Sequence, residues 1–164
     1  MIGSAVFSPC GTWRYRLERD IALDGIVVAF FGVNPSTAGA EVDDQTTRKW
    51  AGFARVLGAR KYIAGNPFAL CATDVTDLAG AADPVGPENV AHLEQIIRDA
   101  DVLVPCWGRR AKVPEHLRIH VDMLRERLWR SGKPVRCLGF TKCGQPKHTL
   151  TLGYATPFVD WRDT

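Results

Sequence analysis

The sequence predicts a single α/β domain over residues 1–164, built in three layers with a central, mainly parallel four-stranded sheet between helices. Short, wholly apolar runs alternate with longer segments of helical periodicity, the pattern of parallel strands joined by crossover helices. The connections are mostly short, which keeps successive elements adjacent. At 164 residues, 46% of them apolar and 24% charged, the chain can build one sizeable core with little left for a second.

Taken in order, TWRYRLERD (12–20) has mixed alternation and reads as an edge strand or extended arm. Residues 26–33 (IVVAFFGV) give the strongest strand, apolar on both faces as a central parallel strand must be. Thr46 to Leu57 fits a helix, with Trp50, Phe53, Ala54 and Leu57 along one face. ARKYIAGNPFAL holds a second strand that stops at Asn66-Pro67, because proline cannot continue a central ladder. A long polar connection with two prolines leads to NVAHLEQIIRDA, a helix expected to turn Val90, Leu93, Ile96 and Ile97 inward. DVLVPCWG is the third strand, EHLRIHVDMLRERLWR a further helix, and KPVRCLG the fourth strand, opening into FTKCGQPKHTL.

In a parallel sheet, ligands bind at the carboxyl ends of the strands, which selects Asn34 to Asp44, Asn66 to Phe68, Trp107 to Arg110 and Lys142 to His148. Asn34 follows a glycine-permitted strand exit and can hold a water or a ligand amide; together with Ser36 it can equally satisfy turn or cap groups. Asn66 can match one edge of a nucleobase or serve as a turn former before Pro67. His148, in a loop punctuated by glycine and proline and beside Lys142 and Lys147, is poorly placed for packing and suited to donating a hydrogen bond toward developing negative charge. Asp44 is expected to cap the helix that begins near Thr46, with Arg48 at i+4 as its ion-pair partner, leaving Asp43 for a ligand or for general-base work. Phe68 and Trp107 complete the substrate-binding candidates at the strand ends, and Arg109, Arg110, Lys142 and Lys147 are candidate phosphate contacts.

Other chemistries find no pattern to rest on. GVNPSTAG is neither GxxxxGK[ST] nor GxGxxG, and Ser36 lies in no GxSxG elbow. Five scattered cysteines include no CxxC pair, Cys106 reads as packed rather than reactive, and no calcium-loop or HExxH pattern exists, so neither metal nor cofactor is expected. With no apolar run long enough to cross a bilayer and no signal-type N-terminus, the expectation is a cytoplasmic protein without a membrane partner; protein partners are not indicated. Net charge is +3 and unevenly spread: residues 1–100 carry nine Lys/Arg against twelve Asp/Glu, and the remainder twelve against six. A basic second half is compatible with a polyanionic partner, nucleic acid or nucleotide.

YRL near Arg16, NPSTAG, DDQTTRK, GNPFAL, DPVGPEN, WG and TKCGQPKHTL occur together in an order that resembles the DUF1643 family of uncharacterised proteins along almost the whole chain. More distantly, GVNPS, the strand-end Asn66, VLVPCWG and the late His148 resemble motifs of the uracil-DNA glycosylase superfamily, which implies that superfamily's fold. The resemblance implies that Asn34 orients water, Asn66 reads a base and His148 stabilises the departing base. Where those enzymes carry a serine-containing wedge after the histidine, this chain has HTLTL, and DDQTTRK has no counterpart. Three function classes follow: a glycosylase-like hydrolase of the N-glycosidic bond of a modified or deaminated base in DNA or a nucleotide, a non-catalytic nucleic-acid or nucleotide-binding module, and a small-molecule hydrolase using Asp43 or Asp44.

Overall fold

The computed structural model describes residues 2–162. In chain order the elements are β1 (Gly3–Phe7), β2 (Arg14–Asp20), β3 (Ile26–Phe31), α1 (Gln45–Val56), β4 (Ala59–Gly65), α2 (Asn89–Asp99), β5 (Val102–Pro105), α3 (Arg118–Arg130), β6 (Arg136–Cys137) and β7 (Val159–Asp160). Five strands form one sheet in the order β1-β2-β4-β3-β5. The β3–β4 and β3–β5 pairings are parallel, whereas β1–β2 and β2–β4 are antiparallel.

This mixed sheet corrects the expected four-stranded, mainly parallel, uracil-DNA glycosylase-like architecture at both of its edges. Residues 14–20 are no loose arm. They dock antiparallel on β4, with Leu17 opposite Ala64, and carry β1 as a further strand outside them. At the other edge KPVRCLG does not complete a fourth parallel strand. Pro134 has no N–H to give a ladder, so contact with β5 reduces to its carbonyl accepting from Leu103 N and a single parallel bridge between Leu103 and Val135. Arg136–Cys137 then pairs antiparallel with Val159–Asp160 in a separate two-stranded sheet.

Helices cover both faces of the sheet, and strand parity decides which side chain meets which helix. Val27, Ala29 and Phe31 of β3 join Ile63 and Leu103 against α2 and α3, through Leu93, Ile96, Val121, Leu124 and Leu128. Val28 and Phe30 point the other way with Tyr62, Ala64 and Val104, meeting Trp50, Phe53 and Ala54 of α1. Each fully buried large apolar side chain here stabilises the fold by roughly 1.5–3 kcal/mol relative to exposure. Cys106 is buried in the second cluster, as its sequence context predicted. Val90, expected inward, is instead 41% exposed: Asn89, one turn before Leu93, takes the inward position at the start of α2.

Asp44 caps α1 through a reciprocal capping box with Thr47. The expected Asp44–Arg48 ion pair does not form; Arg48 lies on the exposed side of the helix and donates to the Asp43 carbonyl at 3.0 Å. The connection between β3 and α1 is instead anchored from below by Arg19 of β2. That guanidinium pairs with Asp43 at 2.9 Å and also donates to the carbonyls of Glu18, Gly39 and Val42. Among the described residues no helix is long and apolar enough to cross a membrane.

Candidate functional site

The carboxyl ends of the three parallel strands lie side by side, with Phe31 in register with Gly65 on one flank and Pro105 on the other. A cleft of about 500 Å³ opens above them, in the size range of small-molecule sites. It is walled by the exits of β3 and β4, the first turn of α1, residues 73–75, Lys112 and His148, and it reaches back to Arg14 at the start of β2.

Gly32 sets how closely these walls approach. A Cβ placed there would stand 3.0 Å from Asn66 Oδ1 and 3.5 Å from the Trp50 ring, so only glycine leaves the Asn66 amide its present room. The backbone at Asn66 is fixed from the opposite side: the fully buried Asn89 donates to the carbonyls of Asn66 at 2.9 Å and Pro67 at 3.2 Å. The side-chain amide of Asn66 makes no hydrogen bond to the protein among the described residues, although the residue is only 4% exposed and borders the cleft.

Asn34 is oriented by two acceptors. Its Nδ2 donates to Ala72 O at 2.7 Å and Pro35 O at 3.1 Å, and because both partners are carbonyls the nitrogen must face them. Oδ1 is thereby left as an acceptor without a partner among the described residues, in a residue that lines the cleft. Ser36 is held differently, donating its hydroxyl to Asp44 Oδ2 at 2.9 Å, while Asp44 Oδ1 accepts from Thr47 N at 2.8 Å. Burial works against ionisation of Asp44, but these hydrogen bonds and the field of Arg14 outweigh it and hold its pKa below the usual aspartate value of 3.8.

On the far wall, His148 Nδ1 accepts from Leu150 N at 3.1 Å. The proton of the neutral ring therefore sits on Nε2, which has no acceptor among the described residues. Burial, reinforced by the charge of Lys112, lowers the His148 pKa from 6.5 and favours this neutral form. The loop that presents His148 is secured by Trp107 Nε1, which donates to Gln145 Oε1 at 2.9 Å, and by Gly108 N, which donates to Pro146 O at 2.9 Å.

Of the residues selected from sequence, Asn34, Ser36, Asp44, Asn66 and His148 converge on this one cleft. The others do not. Asp43 is committed to Arg19; Phe68 is fully buried in the core against His120; Trp107 is buried beneath the His148 loop, edge-on to Trp161. Arg48, Arg109, Lys142 and Lys147 are exposed outside the cleft walls, and Arg110 forms a bidentate pair with Asp122.

No local pattern in the sequence marks Arg14. It is 4% exposed and lines the cleft, and its guanidinium has a single protein partner among the described residues, the Ala38 carbonyl at 2.6 Å. Burial lowers its pKa from the ordinary arginine value, with Cys71 and Asp44 opposing, and the group stays a cation. An arginine in a segment that reads as an edge strand is expected to be solvated, whereas here β1 pairs outside it, with Phe7 opposite Arg14, and the Ala38 carbonyl accepts from it.

A larger groove of about 700 Å³ runs between α2 and α3, lined by Ile97 and Met123 among charged side chains. Two of its charges, Arg127 and Glu94, pair with each other across it. No group of three or more His, Cys, Asp or Glu among the described residues is arranged to hold a metal ion.

Fold and site together define a mixed α/β domain with a polar cleft over the ends of its parallel strands. Residues 14–150 match the family described as Protein of unknown function (DUF1643), and the chain belongs to that family. No curated protein and no solved structure matches the chain.

Proposed function

We propose that the cleft binds a nucleobase-bearing ligand and hydrolyses its N-glycosidic bond. One observation carries this reading: Asn34 Oδ1, the Asn66 amide and His148 Nε2–H have no hydrogen-bond partner among the described residues, and all three residues border one small cleft. The Asn66 amide offers a donor and an acceptor side by side, the complement of a base edge. Asn34, its nitrogen pinned, directs a lone acceptor that holds and orients a water toward the anomeric carbon. His148, neutral and already fixed in tautomer, donates to the base as electron density moves onto it and the sugar becomes oxocarbenium-like. The bond between anomeric carbon and base nitrogen breaks with its electron pair leaving on the base, and water supplies hydroxyl to the sugar and a proton to the base.

A general-base role for an aspartate fits these surroundings less well. Asp43 is bound to Arg19, and Asp44 accepts from Ser36 and Thr47 and has a depressed pKa, which makes it a weak base.

The test is free-base release from single-stranded, duplex and nucleotide substrates carrying deaminated or modified bases, with Asn34→Ala and His148→Ala compared with the parent. Release by the parent, reduced by on the order of 100-fold or more in each folded variant, supports the mechanism. No release from any substrate by folded parent protein refutes hydrolysis and leaves a binding module.

A further inference from the structure

We propose that Arg14 is an anion anchor that recognises the phosphate monoester of a free nucleotide. The inference rests on the reading of the cleft as a nucleobase site and adds what else its ligand must carry. A guanidinium has five N–H donors in a rigid fork, and here one of them is used, on Ala38 O. The residue is 4% exposed, and no carboxylate pairs with it among the described residues. Arg19, five residues along the same strand, shows the contrast. It is equally buried, but it has a carboxylate partner and three carbonyl acceptors. A buried cation with most of its donors unused, on the wall of an open cleft, is a demand for an anion from outside.

The ligand is further narrowed by the remaining charges. Asp44 and Asp74 border the same cleft, each already accepting a backbone N–H, Asp44 from Thr47 and Asp74 from Thr76. The two carboxylates disfavour an oxyanion beside them, and of the Arg and Lys side chains that border the cleft Lys112 is exposed whereas Arg14 is buried with donors unused among the described residues, so the Arg14 fork is the place for it. A terminal monoester can enter and present three oxygens to a buried fork; an internal phosphodiester has chain leaving on both sides.

Calorimetric titration of the full chain decides the matter. Uridine, deoxyuridine, inosine and deoxyinosine are each compared with their 5′-monophosphates, alongside a short single-stranded oligonucleotide without a terminal phosphate. For at least one pair the monophosphate is expected to bind about tenfold or more tightly than its nucleoside, as a charge-assisted contact implies. Arg14→Lys shrinks this ratio, and Arg14→Gln removes it while nucleoside affinity is retained. Equal affinity of every nucleoside and its monophosphate, no binding of any monophosphate, or an oligonucleotide that binds as tightly as the best monophosphate overturns the proposal. Should Arg14→Gln not fold, the parent comparison and Arg14→Lys still decide. Base release is assayed separately: a phosphate preference without release keeps the anchor and refutes hydrolysis, whereas release that is indifferent to phosphate, with equal affinities, does the reverse.

Discussion

Replacing Asp43 by alanine separates a structural carboxylate from a chemical one. Arg19 is 1% exposed, and its Nε donates to Asp43 at 2.9 Å. Breaking a fully buried ion pair by removing one partner costs about 3–5 kcal/mol, because the remaining charge is left uncompensated. Two features reduce the figure here. The Asp43 side chain is 26% exposed, so water can reach the vacated position, and the Arg19 guanidinium keeps the carbonyls of Glu18, Gly39 and Val42. The expected loss is about 2–3 kcal/mol for Asp43→Ala, and roughly half that for Asp43→Asn, which preserves an acceptor for Nε–H. Urea unfolding at fixed pH measures it as a lower midpoint with an unchanged slope. A loss below about 0.5 kcal/mol, the scatter of ordinary surface substitutions, refutes the assignment. So does a normally stable Asp43→Ala whose base-release rate falls by on the order of 100-fold, since that is the mark of a general base.

Two further outcomes follow from the cleft. Gly32→Ala puts a methyl carbon 3.0 Å from Asn66 Oδ1, and the amide must yield by a few tenths of an ångström; stability is expected to fall by only about 1 kcal/mol in urea unfolding, while nucleoside binding measured by titration weakens by a larger factor. His148 has a folded-state pKa below its unfolded value of 6.5, so the unfolded chain binds the extra proton first as pH falls. Its contribution to stability is therefore complete above pH 6.5 and declines as pH drops from there toward the folded pKa, and urea midpoints from about pH 8 to about pH 5 should fall less steeply in His148→Gln than in the parent.

The central strands and the helices were legible because their signals are local. IVVAFF has no polar face to expose, the periodicities of α1 and α3 repeat over several turns, and Asp44 stands three residues before the Thr47 that completes its cap. The sheet edges were not legible, because strand direction is decided by partners far along the chain: nothing within TWRYRLERD says that Leu17 will face Ala64 antiparallel. The strand-end rule brought Asn34, Asn66 and His148 to one cleft since it depends only on where parallel strands stop. It failed for Phe68 and Trp107, which stand at the same ends with their side chains turned into the core. It could not reach Arg14, which enters the cleft from an antiparallel strand whose start, not its end, faces that way. Asp43 and Asp44 illustrate the finest limit. Adjacent in sequence and chemically identical, they are divided between the two roles by an arginine more than twenty residues earlier.

The antiparallel docking of β2 also fixes when the site can exist. During synthesis β2 can pair with β1 at once, but the pair has no central sheet to join until β4 has left the ribosome and paired with β3. Both buried arginines of β2 then arrive together, Arg19 to fasten the connection before α1 and Arg14 to close the back of the cleft. A chain begun after Asp20 would retain β3, β4, β5 and their helices. It would lack the buried cation of the cleft and bare the long edge of β4 to other unfolded chains.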